Sequence, residues 1–357
     1  MEFLRFAAAL GVVVYHAGLE LRAFFQPAQV EPLLVWTWIG NAGVPVFFTI
    51  SGFIMLHGMH GGFGHPGSAW RFLLRRLLRI YPIYWIALLA YLLALPPGRA
   101  AMPADGAEAL ATALLLPGHA ARVITPAWTL SFEMFFYLAF AAALLLPRRA
   151  GLGLLGAFFL AGIALGQAGA LGESAPARLA GSPLLLEFLA GIGIALALQR
   201  RRLAARLSRP AALRAMLWGA LALFLLSPLA DRAGLPAVLH MGVPALLLVA
   251  WAVFAEAGGR LGPAVRWLSR FGSGSYALYL IHILVLALLL PLAGALADAG
   301  GRPLAVLLLL TALAFLAGEA LHRLLERPLL RVLRRRLAGA GGAGKPPPRA
   351  PLRPPVG

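Results

Sequence analysis

Two ionisable side chains stand in stretches that are otherwise apolar: His16 in the run from residue 3 to 24, and Glu133 in the run from 127 to 147. A titratable group inside a hydrophobic span costs several kcal/mol, about 3 on insertion scales, unless it faces a cavity or a partner, so each marks a site where chemistry is expected. Glu187, His282, Glu319 and His322 belong to the same short set. A neutral imidazole beside a carboxylate is the arrangement of a general base that takes a proton from a hydroxyl near neutral pH. On those two residues alone, a buried pair that only locks two helices together fits as well. Arg5 lies eleven positions before His16. At 100° per residue it returns to within about 20° of the same helix face, about 16 Å away along the axis. If the first span runs outward and the fourth inward, His16 lies about two-thirds of the way across and Glu133 roughly 9 Å below the outer surface, so the two are expected at one depth.

A second chemistry-bearing cluster is Arg71, Arg75, Arg76 and Arg79, running into Tyr81 and Pro82. It reads as a basic amphipathic turn leading into the third span. Composition alone makes it a membrane-surface anchor and orientation signal. The chemical alternative is a guanidinium cradle for a phosphorylated ligand, since the planar fork of arginine matches phosphate oxygens.

These residues must be positioned by helices. The 357-residue chain is 61% hydrophobic and 12% charged, about half the charge of an ordinary soluble domain. At roughly 20 apolar residues per crossing, ten spans are expected, near 3–24, 40–60, 80–97, 127–147, 151–170, 184–199, 212–229, 235–255, 275–297 and 303–323. The runs are continuously apolar and not alternating, which excludes a β-barrel. The expected class is therefore an all-α integral membrane protein with both termini cytoplasmic. Basic residues support that orientation: Arg71 to Arg79, Arg148 and Arg149, Arg200 to Arg209, Arg260 to Arg270 and the C-terminal cluster fall on one side. Only Arg22, Arg99, Arg122, Arg178, Arg232 and Arg302 fall on the other, the asymmetry of the positive-inside rule. The formal net charge of +18 is thus spent on topology, and no nucleic-acid surface is expected. The absence of cysteine excludes disulfides and thiol nucleophiles. Residues 1–335 are expected to form the membrane domain and 336–357, rich in Pro, Gly and Arg, a disordered cytoplasmic tail. His57, His60 and His65 crowd a glycine-rich turn, but no carboxylate joins them, and no metal site is expected.

Taken together, five segments resemble the acyltransferase-3 family of integral-membrane acyltransferases. They are Glu2-Phe-Leu-Arg5 with His16 beyond it; Gly43-Val-Pro-Val-Phe-Phe-Thr-Ile-Ser51-Gly52-Phe53; Arg76-Leu-Leu-Arg79-Ile-Tyr81-Pro82; Trp128-Thr-Leu-Ser131-Phe-Glu133-Met-Phe-Phe-Tyr137; and Ser275-Tyr-Ala-Leu-Tyr279-Leu-Ile-His282, with Glu326-Arg327-Pro328 near the end. The resemblance implies a bacterial inner-membrane O-acyltransferase that takes an acyl group, acetyl by default, from cytosolic acyl-CoA. It implies that Arg76 and Arg79 meet the donor phosphates, that the Arg5 helix lines the acyl path and that His16 acts in transfer. Arg5, Arg75, Arg76, Arg79, Tyr81, Tyr279 and His282 are accordingly expected on the donor, and His16 with Glu133 at the reacting centre. Tyr279 and His282 are placed in the inner half of span nine. The implied acceptor is a sugar, a polysaccharide or a lipid-linked glycan, selected by the outer connections 25–39 and 98–126. The sequence departs from the family pattern in lacking a leader before Glu2 and in carrying Pro45 where many members carry aspartate. A rival from another class is a polytopic glycan or lipid transporter, or flippase, that uses the buried His and Glu as a proton relay.

Overall fold

The structure is a computed structural model, and it describes residues 1–59, 61–95 and 102–340. His60, Arg99 and the expected tail beyond Ala340 lie outside the described residues, whereas residues 336–340 continue a helix. The described residues contain ten helical stretches long and apolar enough to cross a membrane. In chain order they are α1 (Glu2–Ala23), α2 (Pro27–His57), α3 (Pro66–Ala94), α4 (Thr125–Leu144), α5 (Arg148–Gln167), α6 (Ala175–Gln199), α7 (Pro210–Arg232), α8 (Val238–Ala257), α9 (Pro263–Asp298) and α10 (Pro303–Leu333).

Two boundaries differ from the sequence expectation. Residues 25–39, expected as an outer connection, are largely helical: Pro27–Thr37 starts on a capping box between Gln26 and Gln29, with Pro27 in the first turn. A 3-10 turn over Trp38–Ala42 then joins it to Gly43–His57. A reciprocal cap supplies the orphan backbone N–H groups and lets a helix begin without an apolar run. The arginine cluster, expected as a turn ahead of the third span, is likewise part of the helix Pro66–Ala94, which opens on Pro66. Arginine has a high helix propensity, and nothing between Ser68 and Tyr81 breaks the helix.

Small residues allow the central helices to meet backbone to backbone. A Cβ at Gly52 of α2 would collide with the Phe188 carbonyl of α6, and one at Gly191 of α6 with the Thr49 carbonyl of α2. Such close approach is how membrane helices associate when no hydrophobic driving force separates protein from lipid. Around this seam Phe48, Phe188 and Phe136 stack, with centroids 4.6 and 4.2 Å apart, tying α2, α6 and α4 together.

The connection between α3 and α4 folds back onto α3. Tyr81, Tyr84 and Trp85, on one face at i, i+3 and i+4, donate to three consecutive carbonyls: Leu114 (2.9 Å), Thr112 (2.7 Å) and Ala113 (2.9 Å). The next carbonyl, Leu115, accepts from Ser131 Oγ of α4 at 2.8 Å. Leu115 itself is buried and carries φ +59°, a backbone state that persists only where its surroundings over-determine it. This strap fixes α4 beside the arginine-bearing half of α3.

The ends of α1 and α9 share a level. The amino group of Met1 pairs with Glu256 Oε2 at 2.7 Å, and Gly272 packs directly on the Glu2 backbone.

Candidate active site

Helix geometry decides which arginines of α3 can act together. Arg76 and Arg79 are three residues apart and share a face; Arg75 is turned by about 100° from Arg76, and Tyr81 by about 200° from Arg79. Arg76 and Arg79 line a cleft together with Arg5 of α1, Ser51 of α2, Glu133 and Tyr137 of α4, and Tyr279 of α9. Arg75 is exposed and reaches toward the Met59 sulfur at 3.8 Å; Tyr81 is occupied by the strap. Neither lines the cleft.

Three guanidinium groups face one carboxylate there. Glu133 accepts from Ser51 Oγ at 2.9 Å and from Tyr137 OH at 3.1 Å, and the Arg76 guanidinium lies 5.6 and 5.8 Å from the rings of Phe72 and Tyr137. The Nε atoms of Arg5 and Arg76 are shielded from solvent and have no hydrogen-bond partner among the described residues. Buried donors without acceptors are uncommon because each costs the desolvation of that group. A surplus of cation with unused N–H groups suits a polyanionic ligand.

Away from the arginines the cleft ends at Tyr279, whose OH is 3.0 Å from Thr129 Oγ1 and 3.3 Å from the Pro126 carbonyl. Phe47 packs against Tyr279 at 5.6 Å. One turn further along α9 is His282, fully buried. Its Nδ1 lies 2.7 Å from the Tyr279 carbonyl, and its Nε2 is 3.3 Å from Nδ1 of His16. His16 Nδ1 also lies 2.9 Å from the Val12 carbonyl one turn back on α1.

The site residues therefore fall in two groups. Arg5, Arg76, Arg79, Tyr279 and Glu133 line the cleft, and His16 and His282 form a ring pair behind Tyr279. The expected pairing of His16 with Glu133 is replaced: Glu133 spends its oxygens on Ser51 and Tyr137 among the arginines, and His16 meets His282. The physical reason is depth. The strap and the 3-10 turn Thr125–Ala127 carry the start of α4 down beside the arginine-bearing turns of α3, so Glu133 sits at the level of Arg5 and Arg76. In α9, Gly272 packs on the Glu2 backbone, and the helix Ser275–Asp298 then runs beside α1 from that level. Ten residues beyond Gly272, and one turn beyond Tyr279, His282 meets His16 and does not line the cleft.

Ser51 and Thr129 are contacts that the sequence did not announce. Gly52 does make the close helix contact expected of the Ser51-Gly52 pair, yet Ser51 also binds Glu133. Tyr137 was readable, since four residues on a helix bring it over Glu133. Glu319 and Arg323 form the expected helix pair at 2.6 Å.

The family model described as an acyltransferase domain, that of acyltransferase-3, matches residues 1–320. The exopolysaccharide production protein ExoZ of Rhizobium meliloti (strain 1021) is 34% identical over 321 residues, covering 86% of this chain and 95% of the relative. Acyltransferase MdmB of Streptomyces mycarofaciens is 30% identical over 378 residues, covering 93% and 92% respectively. No solved structure shows significant similarity to the chain. Both matches run the length of the ten-helix body that holds the arginine cleft and the histidine pair, so the chain is a multi-pass membrane protein and belongs to the acyltransferase-3 family of acyltransferases.

Proposed function

We propose that this acyltransferase moves an acyl group, acetyl by default, from cytosolic acyl-CoA to a hydroxyl of a sugar or glycan, within the bacterial inner membrane and with both termini cytoplasmic. The observation that carries the reading is the arginine cleft ending at Tyr279, with the histidine pair directly behind it. Arg5, Arg76 and Arg79 hold the phosphate-bearing head of the donor. The narrow pantetheine arm runs past Tyr279, and the thioester carbonyl meets His16. Glu133 supports transfer from the donor side by balancing the charge of the arginines. The resemblance of the chain to an exopolysaccharide production protein supports a glycan acceptor.

In the chemical step His16 takes the proton of the acceptor hydroxyl as its oxygen attacks the thioester carbon. The C–O bond forms, the C–S bond breaks, and the proton passes from His16 to the departing CoA sulfur. A relay through an acyl-histidine uses the same atoms in two steps. Purified protein supplied with labelled acetyl-CoA tests the reading. The wild type is expected to release CoA and label an acceptor, and His16→Ala to lose transfer by about 10²–10⁴-fold, the range for removing a general base. Label recovered on His16 without acceptor favours the relay, and wild-type transfer by His16→Ala removes the proposal.

A further inference from the structure

The contacts of the two histidines define their protons. A carbonyl oxygen only accepts, so the 2.7 Å contact between His282 Nδ1 and the Tyr279 carbonyl requires the hydrogen on Nδ1. The neutral ring then carries a bare lone pair on Nε2. The same reasoning at His16, whose Nδ1 is 2.9 Å from the Val12 carbonyl, puts its hydrogen on Nδ1 too. That hydrogen is shared with His282 Nε2, 3.3 Å away. The remaining nitrogen, Nε2 of His16, has no hydrogen-bond partner among the described residues and keeps its lone pair. His16 is half-buried whereas His282 is fully enclosed, so the ring with the unused base is the accessible one. Tyr15 fixes the other side of His16, with ring centroids 5.1 Å apart and planes at 71°.

Resting on the reading of His16 as the transfer group, we infer that His282 is a positioning residue, a neutral stand-in for the carboxylate of an acid–base triad. It holds His16 in the Nδ1–H tautomer, aims Nε2 at the substrate, and accepts a firmer hydrogen bond from Nδ1–H when His16 takes up the hydroxyl proton. His282 itself neither gains nor loses a proton. The need for a neutral partner follows from its surroundings: a carboxylate enclosed among helices would carry a large desolvation penalty, whereas an imidazole offers an acceptor without a charge. Glu133, the carboxylate of the cleft, is held by Ser51 and Tyr137.

The absence of cysteine makes the test clean, because a chromogenic thiol reagent added to the purified full-length chain reads only CoA released from acetyl-CoA. His282→Ala is expected to lower kcat by about 10²-fold or more, with KM for acetyl-CoA within about twofold of wild type. His282→Gln, whose amide oxygen reaches the place of Nε2 and can accept from His16, should recover much of that loss. His282→Asn, which mimics Nδ1 and can bond only the Tyr279 carbonyl, should be as impaired as His282→Ala. Rescue by Asn and not by Gln would assign His282 a purely architectural bond to Tyr279 and overturn the inference. So would a folded Gln variant as slow as His282→Ala, or wild-type kcat in all three. His16→Ala run in parallel separates the two claims: if it is inactive while the His282 variants are normal, only the positioning role falls, and if it is active, the reading of His16 itself falls.

Discussion

At the scale of single residues, the site is a matter of which guanidinium groups have no partner and which imidazole nitrogen keeps a lone pair. Arg76 and Arg79 share one face of α3 and line the cleft with Arg5; a charge-assisted hydrogen bond to phosphate contributes about 1.5–3 kcal/mol. Arg76→Ala or Arg79→Ala should therefore raise KM for acetyl-CoA by about 10- to 100-fold with kcat little changed, whereas Arg75→Ala, which removes an exposed side chain, should leave both near wild type. Steady-state kinetics of the three variants distinguishes a cradle from a generally basic surface. Residue type and spacing singled out Arg76 and Arg79, but also put Arg75 and Tyr81 with them, and these two do not line the cleft. The partner of His16 was not legible. A bond between helices depends on their relative rotation and depth, and the depth of Glu133 was set by a strap of four carbonyl contacts that no spacing rule announces.

At the scale of elements, two kinds of contact build the cleft: glycine seams and the strap. Replacing Gly52 with Leu would drive a side chain into the Phe188 carbonyl, where α2 must also present Ser51 to Glu133. Overpacking of this kind costs about 1–3 kcal/mol. Gly52→Leu should therefore lower the Tm of the detergent-solubilised protein and cut transfer, while Gly153→Leu, at a position with open space around it, should leave the Tm unchanged. Ten spans were readable from apolar runs because a bilayer demands them. The helical state of 27–37 and of the arginine stretch was not read from hydropathy, which is blind to polar helix. The signals lay in caps instead, at Gln26 with Gln29 and at Pro66.

At the scale of the whole molecule, the account requires the arginine cleft to open to the cytoplasm and the His16 ring pair to lie deeper in the bilayer. Because the chain has no native cysteine, single cysteines report sidedness directly. A cysteine at Arg71 should react with a membrane-impermeant maleimide only from the cytoplasmic side, and one at Gln29 or Ala107 only from the opposite side; the reverse pattern would invert the donor side. The most direct test of the central claim, that the donor is held in the arginine cleft while transfer takes place at the His16 pair behind Tyr279, is to measure acetyl-CoA affinity and acetyl transfer together in purified His16→Ala. Affinity within about twofold of wild type, with transfer reduced by about 10²-fold or more, is the predicted result. Transfer at the wild-type rate, or transfer lost only because the donor no longer binds, would contradict it.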